Sequence, residues 1–153
     1  MAYYREKVGD VFEHITDETP LVHCISADYA LGAGIAKTVE QRFKVKKSLR
    51  TWGTHKYPDC LKVGNVINLV TKEKYWNKPT YITFSNSLKL LYILCRQKNI
   101  GTIVMPQIGC GLDRLDWNVC KQYIQDILVK NGINVQVWKY GNYTDDNEYE
   151  VEY

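Results

Sequence analysis

No apolar run in this sequence approaches the roughly 18 residues that a membrane-spanning helix requires, so no membrane segment is expected. The opening residues Met1-Ala2-Tyr3-Tyr4-Arg5-Glu6 lack the apolar core of a secretory signal. An intracellular protein, cytoplasmic or nuclear, is the expectation. Cysteine is sparse: Cys24, Cys60, Cys95, Cys110 and Cys120 make an odd number, with no C-x-x-C spacing. That speaks against a disulfide framework and fits reduced thiols. Histidine is scarcer still. His14, His23 and His55 form no ligand motif with those cysteines, so no metal is assigned. Internal repeats and low-complexity linkers are absent as well.

What remains is the composition of one globular domain. The 153 residues are 45% hydrophobic and 24% charged, enough for one core and unlike a disordered chain. A monomer is the default expectation. The net charge of +3 conceals an asymmetry. Of 17 acidic residues, five (Asp145, Asp146, Glu148, Glu150 and Glu152) lie in the last ten positions, which hold no Lys or Arg. Subtracting them leaves 12 acids against 20 bases, a balance of +8 over residues 1–143. A basic body suits an anionic ligand or polymer; it also serves plain solubility. The expected division is a domain over residues 1–142 and an acidic tail over 143–153, the tail read as a solvated end.

Apolar periodicity places the elements. Leu21 to Ile25, Val66 to Val70 and Gly101 to Met105 read as buried strands. Ile133, Val135 and Val137 alternate as a last strand, and Tyr4 to Val8 adds one at the N-terminus. Ile35, Val39 and Phe43 mark one face of a helix. Tyr81, Phe84, Leu88, Leu91, Tyr92 and Cys95 mark a second, with Thr80 as its N-cap. Trp117, Cys120, Ile124, Ile127 and Leu128 mark a third, capped by Asp116 and ended at Asn131-Gly132. Strands alternating with helices predict an α/β layered domain around a largely parallel or mixed sheet. Ligands of such sheets bind beyond the carboxyl ends of the strands.

Two loops occupy such positions. The first, Ser26-Ala27-Asp28-Tyr29-Ala30-Leu31-Gly32-Ala33-Gly34-Ile35-Ala36, leaves a strand, passes two glycines and enters a helix. Free N–H groups at a helix start suit a phosphate, although Gly-x-Gly also marks an ordinary tight turn. The second, Pro106-Gln107-Ile108-Gly109-Cys110-Gly111-Leu112-Asp113-Arg114-Leu115, follows another strand. Two such loops at adjacent strand ends would pinch a diphosphate. Neither is a P-loop, because no Gly-Lys-Ser/Thr follows. Cys110 is read as a small residue in a tight space in preference to a nucleophile, since no histidine lies near it in sequence.

These residues resemble the macro domain family. The run His23-Cys24-Ile25-Ser26 followed by Gly32-Ala33-Gly34-Ile35-Ala36 is similar to its first loop. The closer likeness is to the branch of terminal ADP-ribose protein glycohydrolases, which release ADP-ribose from glutamate. Thr71-Lys72, Lys78-Pro79-Thr80-Tyr81 and the stretch from Met105 through Trp117 match that branch, and Gly9-Asp10-Val11-Phe12 resembles its opening. The likeness covers about residues 4–140. It implies a three-layer α/β/α fold with a mixed, largely six-stranded sheet and ADP-ribose across its top.

The resemblance also implies roles. Asp10 would accept the adenine amino group, with Val11 beside it. Ser26, Gly32, Gly34 and Ile35 of the first loop, with Ile108, Gly109, Cys110, Gly111 and Leu112 of the second, would hold the diphosphate and distal ribose. Lys72 would attack the anomeric carbon, and Asp113 would resolve the intermediate. A neutral amine can form such an adduct, and it requires burial or a neighbouring cation; Lys74 and Lys78 are the candidates. From the residues alone, Lys72 is equally a solvated lysine at a strand end, and Asp113 a cap or a partner of Arg114. Tyr140 stands where the branch has a smaller aliphatic residue; it is either an adenine-stacking ring or an edge aromatic. Residues 44–62 match the branch poorly and are expected to form a helix and a loop near the substrate. No cofactor is implied, only ADP-ribose as ligand or product. The partners implied are ADP-ribosylated protein or, as in some bacterial relatives, ADP-ribosylated nucleic acid. An ADP-ribose 1″-phosphate phosphatase and a non-catalytic reader are the alternatives.

Overall fold

A computed structural model describes residues 1–140 and 148–153 of the chain. The expected boundary between residues 142 and 143 falls outside the described residues, as do Asp145 and Asp146. Seven strands form one mixed sheet, β1 (Tyr3–Val8), β2 (Leu21–Ser26), β3 (Asp59–Val63), β4 (Val66–Lys72), β5 (Thr102–Met105), β6 (Asn134–Lys139) and β7 (Tyr149–Glu152). Their order is β3-β4-β2-β5-β6-β1-β7. The five central strands run parallel. The outer strands β3 and β7 are antiparallel to β4 and β1. The sequence signals marked all five parallel strands: β2, β4 and β5 are largely buried and read as apolar runs, whereas β1 and β6 bury alternate residues.

Four helices, α1 (Gly34–Phe43), α2 (Lys46–Trp52), α3 (Tyr81–Lys98) and α4 (Trp117–Ile127), make the outer layers. Alternation along the strands feeds both. Ile67 and Leu69 of β4 face α3 and α4, joining Phe84, Leu88, Leu91, Cys120 and Ile124. Val66 and Val70 face the other way, joining Val39 of α1, Leu49 of α2 and Tyr29. The helix starts follow the expected chemistry. The Thr80 side chain accepts from Thr83 N–H at 3.1 Å in a reciprocal capping box. Asp116 accepts from Asn118 N–H at 2.8 Å. A short 3₁₀ turn at Val129–Asn131 intervenes before Gly132 closes this helix.

Two expectations change. The predicted face of α1 is buried only at Val39; Ile35 and Phe43 are 39% and 36% exposed. Ile35 lies in the first turn of α1, at the exposed rim, and Phe43 stacks on Phe12 at 6.5 Å. The acidic C-terminus is in part a strand: β7 pairs with β1, and Glu150 accepts a hydrogen bond from Arg5. Beneath β7 lies a buried charge. Glu6 accepts from Tyr4 Oη at 2.7 Å and pairs with Lys121 at 3.2 Å and Lys139 at 3.5 Å. No helix among the described residues is long and apolar enough to cross a membrane.

Candidate functional site

The carboxyl ends of β1, β2, β4, β5 and β6 all open on one edge of the sheet, because these strands are parallel. Each strand hands its chain to a segment at that edge. Asp10 follows β1; its Oδ1 accepts from Phe12 N–H at 3.0 Å and caps a 3₁₀ turn that buries Val11. Asp10 itself is half-exposed at the edge.

The loop after β2 is held from below. Tyr29 is fully buried with φ of 55°, a left-handed conformation uncommon for a large residue. Its hydroxyl accepts from His55 N–H at 3.0 Å, and the two rings tilt together at 4.4 Å. Asp28 Oδ1 accepts from Ser26 Oγ at 2.5 Å and from Ala30 N–H at 3.2 Å, while Oδ2 accepts from Tyr75 N–H at 3.0 Å. Burial works against its charge, but these three donors prevail and hold the carboxyl below its usual range. Ser26 is therefore engaged within the loop and buried. Gly32, Gly34 and Ile35 are exposed at the rim. Helix α1 begins there without a side-chain cap and without an acidic residue in its first turn. Its leading amides are free to meet an anion.

The loop after β5 is tighter. Leu115 N–H donates to Gly109 O at 2.8 Å, Arg114 N–H to Gly111 O at 3.1 Å, and Asp116 N–H to Tyr81 Oη at 2.9 Å. Ile108 and Gly109 are buried, whereas Gly111 and Leu112 are exposed. Leu112 reaches across to the first loop: a carbon added at Gly34 would stand 3.2 Å from Leu112 Cδ1. The two glycine loops therefore meet, as the pinch expected from sequence requires.

An ion pair joins the end of β4 to the second loop. Lys72, the last residue of β4, places Nζ 2.7 Å from Asp113 Oδ1. Both side chains are nearly buried, 13% and 14% exposed. Asp113 thus pairs with Lys72, and its expected alternatives, a cap or a bond to Arg114, give way. Of the two lysine candidates, Lys78 lines the same pocket as Lys72. Lys78 donates to Leu112 O, and Lys74 acts on Asp28. The group facing the Lys72 ammonium is an acceptor.

The cysteines divide by environment. Cys110 sits half-exposed between the glycines, and a hydrogen bond with Cys120 holds its thiol below the ordinary cysteine range. Burial pushes the Cys95 thiol up to about 12 and raises Cys24 and Cys60 further. None of the three histidines acts on Cys110. His23 is buried against Asn68 at 2.6 Å, His55 holds Ala27 O, and His14 stacks on Trp138 at 3.5 Å.

Tyr140 is 70% exposed, and the ring pair packed against Gly9 is His14 with Trp138. Sequence reading passed over that pair, because nothing in the spacing brings residues 14 and 138 together. It also passed over a cavity of about 450 Å³ on the α3 side of Lys72, lined by Tyr57, Thr71, Lys72, Lys78, Thr80 and Thr83 among others. Tyr57 comes from the segment of residues 44–62, which supplies α2, a linker and β3. No group of three or more His, Cys, Asp or Glu is placed to hold a metal ion among the described residues.

Comparison with known proteins adds a context to this geometry. No family model matches the chain. The chain is 33% identical over 133 residues to bovine (Bos taurus) ADP-ribose glycohydrolase OARD1, covering 85% of this chain and 87% of that one. The fold is similar to the macrodomain of Thermus aquaticus DarG, with a TM-score of 0.73, 20% identity, and coverage of 91% of this chain and 98% of that one. It is also similar to Thermosipho africanus DarTG in complex with ADP-ribose, with a TM-score of 0.71, 18% identity, and coverage of 86% and 40%.

Proposed function

The chain belongs to the macro domain family of ADP-ribose glycohydrolases, and from that membership we propose that it releases ADP-ribose from a modified carboxylate through Lys72 and Asp113. The observation that carries the reading is the pair itself. A lysine ending one strand and an aspartate 41 residues later meet at 2.7 Å, nearly buried, beside two glycine loops. The similarity to ADP-ribose glycohydrolase OARD1 supports hydrolase activity. The neighbouring fold named in complex with ADP-ribose supports the ligand.

ADP-ribose lies across the strand ends in this reading. The Asp10 carboxylate accepts from the adenine amino group, with Val11 beneath. The leading amides of α1 and the Gly109–Leu112 backbone face the diphosphate. The anomeric carbon then sits above Lys72. Asp113, whose Oδ1 accepts from the ammonium at 2.7 Å, takes a proton from it. The freed amine bonds to the anomeric carbon while the carbon–oxygen bond breaks and its electron pair leaves on the substrate carboxylate. The Asp113 proton then passes to solvent. Asp113 next draws a proton from water, which bonds to the same carbon, and the carbon–nitrogen bond breaks to restore lysine. Overall, ester and water give ADP-ribose and a carboxylic acid.

The test incubates the parent protein, Lys72→Ala and Asp113→Ala with a glutamate-linked mono-ADP-ribosylated peptide, ADP-ribosylated DNA and ADP-ribose 1″-phosphate. Release from the peptide by the parent is expected, with near-total loss in both variants and ADP-ribose binding kept in Lys72→Ala. Binding without release from any substrate makes the chain a reader. Turnover of the 1″-phosphate alone makes it a phosphatase.

A further inference from the structure

We infer that Asp28 is a positioning residue: its carboxylate ties the first glycine loop to the segment that leaves Lys72, and so fixes the lysine relative to the loop that holds the diphosphate. The inference rests on the proposed hydrolysis and adds what sets the nucleophile against the bound substrate.

Lys72 stands where regular pairing lapses. The register of β2 with β4 is even from Leu21 opposite Val66 to Ile25 opposite Val70. It then slips by one residue, and Ser26 lies opposite Lys72. Such an irregularity re-aims the side chains beside it, so the direction of Lys72 needs pins besides the strand ladder. One pin is backbone: Ala27 N–H donates to Lys72 O at 2.8 Å. Past Lys72, burial gives no help. Glu73, Lys74, Tyr75 and Trp76 are exposed, the two aromatic rings to 63% each. Lys74 and Asn77 close this segment on itself: Lys74 N–H donates to Asn77 Oδ1, and Asn77 N–H to Lys74 O, both at 2.9 Å. That turn has still to be fastened to the body of the protein.

Asp28 fastens it. Its Oδ2 accepts from Tyr75 N–H at 3.0 Å, while its Oδ1 accepts from Ser26 Oγ at 2.5 Å and from Ala30 N–H at 3.2 Å. One carboxylate thus spans the loop after β2 and the turn after β4. Ser26, Ala27 and Tyr29 are buried, which anchors that end of the clamp in the core. A direct contact with the ligand does not suit Asp28: both oxygens already accept, and a carboxylate facing a diphosphate would repel it. The charge serves the clamp, because an ionised acceptor makes the stronger hydrogen bonds. At the far end of the turn, Lys78 donates to Leu112 O, so the segment after Lys72 is tied to both glycine loops.

The test is Asp28→Ala, assayed well below its Tm. If the freed turn lets Lys72 shift by about 1 Å, kcat on the glutamate-linked peptide should fall about a hundredfold, with KM changed less. Affinity for ADP-ribose should stay within about threefold, because the glycine amides remain. Asp28→Asn keeps the reach of the side chain but has one acceptor oxygen in place of two, so it should recover kcat to within about tenfold of the parent. Formation of the Lys72 adduct should be slower in Asp28→Ala/Asp113→Ala than in Asp113→Ala, since the attack itself is misaligned. Parent-level turnover in Asp28→Ala, or a loss matched in ADP-ribose affinity, overturns the positioning role while leaving the hydrolase reading intact. If Asp28→Ala does not fold, Asp28→Asn decides: a lowered kcat with affinity kept supports the role, and parent-level turnover overturns it. A parent that binds ADP-ribose and cleaves nothing removes the hydrolase reading and the positioning role with it.

Discussion

Replacing Gly109 by alanine probes the loop that carries Asp113. Gly109 has φ of +80°, and an added methyl carbon would stand 2.9 Å from Cys120 Sγ and 3.1 Å from the Phe84 ring. Both neighbours are fully buried, so neither can swing into solvent. The left-handed backbone costs an alanine about 1–2 kcal/mol. Overpacking a filled core adds about 1–3 kcal/mol. The sum centres on about 3–4 kcal/mol, a drop in Tm of about 6–16 °C at about 2–4 °C per kcal/mol for a domain of this size. Gly111→Ala is the internal control. Gly111 has φ of +66° but no atom of the described residues within 4 Å of the added carbon, so only the backbone part, about 1–2 kcal/mol, should appear. Asp113 lies four positions beyond Gly109. If the loop yields by about 1 Å to admit the methyl group, turnover should fall about a hundredfold even in protein still folded at the assay temperature. Calorimetry on both variants, with turnover measured well below each Tm, decides the matter. Equal Tm losses at the two glycines would refute the packing argument. Full turnover in Gly109→Ala would refute the link from that packing to the Lys72–Asp113 pair.

Stability should fall with acid in a defined window. Burial lowers the pKa of His23 to about 4 from 6.5, partly offset by Asn68, so between those values the unfolded chain binds the proton that the folded chain refuses. The His23 contribution is complete above pH 6.5 and is lost towards pH 4, a change on the order of 3 kcal/mol; urea titrations at a series of pH values should show the slope, and His23→Gln should flatten it. Among the cysteines, a small alkylating reagent at neutral pH should label Cys110 first, because its thiol alone is held low, and Cys120→Ala should slow that labelling by removing the hydrogen bond. Peptide mapping that finds Cys95 or Cys60 labelled first would contradict the assignment of environments. Thr80→Ala should lower Tm by about 2–4 °C, the loss of one capping box, and circular dichroism melts would register it.

The parallel core was legible because burial on both faces writes apolar runs into β2, β4 and β5, and the helix starts because Thr80 and Asp116 are good caps. The edge strands were not. β3 (Asp59–Val63) carries Lys62 and no buried apolar residue, and β7 is acidic; each is a strand because a neighbour offers an unpaired edge. Ile35 misled as a core residue because periodicity does not register that a first turn lies beyond the sheet. The glycine loops were legible as turns at strand ends. The buried plug Tyr29 and the Asp28 staple behind them were not, since both depend on contacts with residues 55 and 75. Lys72 and Asp113 could be paired only through resemblance, because nothing local links positions 41 residues apart.

The most direct measurement of the central claim is the intact mass of Asp113→Ala after incubation with the glutamate-linked ADP-ribosylated peptide. Without Asp113 the lysine proton leaves to solvent and the intermediate is not resolved, so the account predicts an added ADP-ribosyl mass that maps to Lys72 and is absent from Lys72→Ala/Asp113→Ala. Turnover retained by Lys72→Ala, with no adduct on Lys72 in Asp113→Ala, would contradict it.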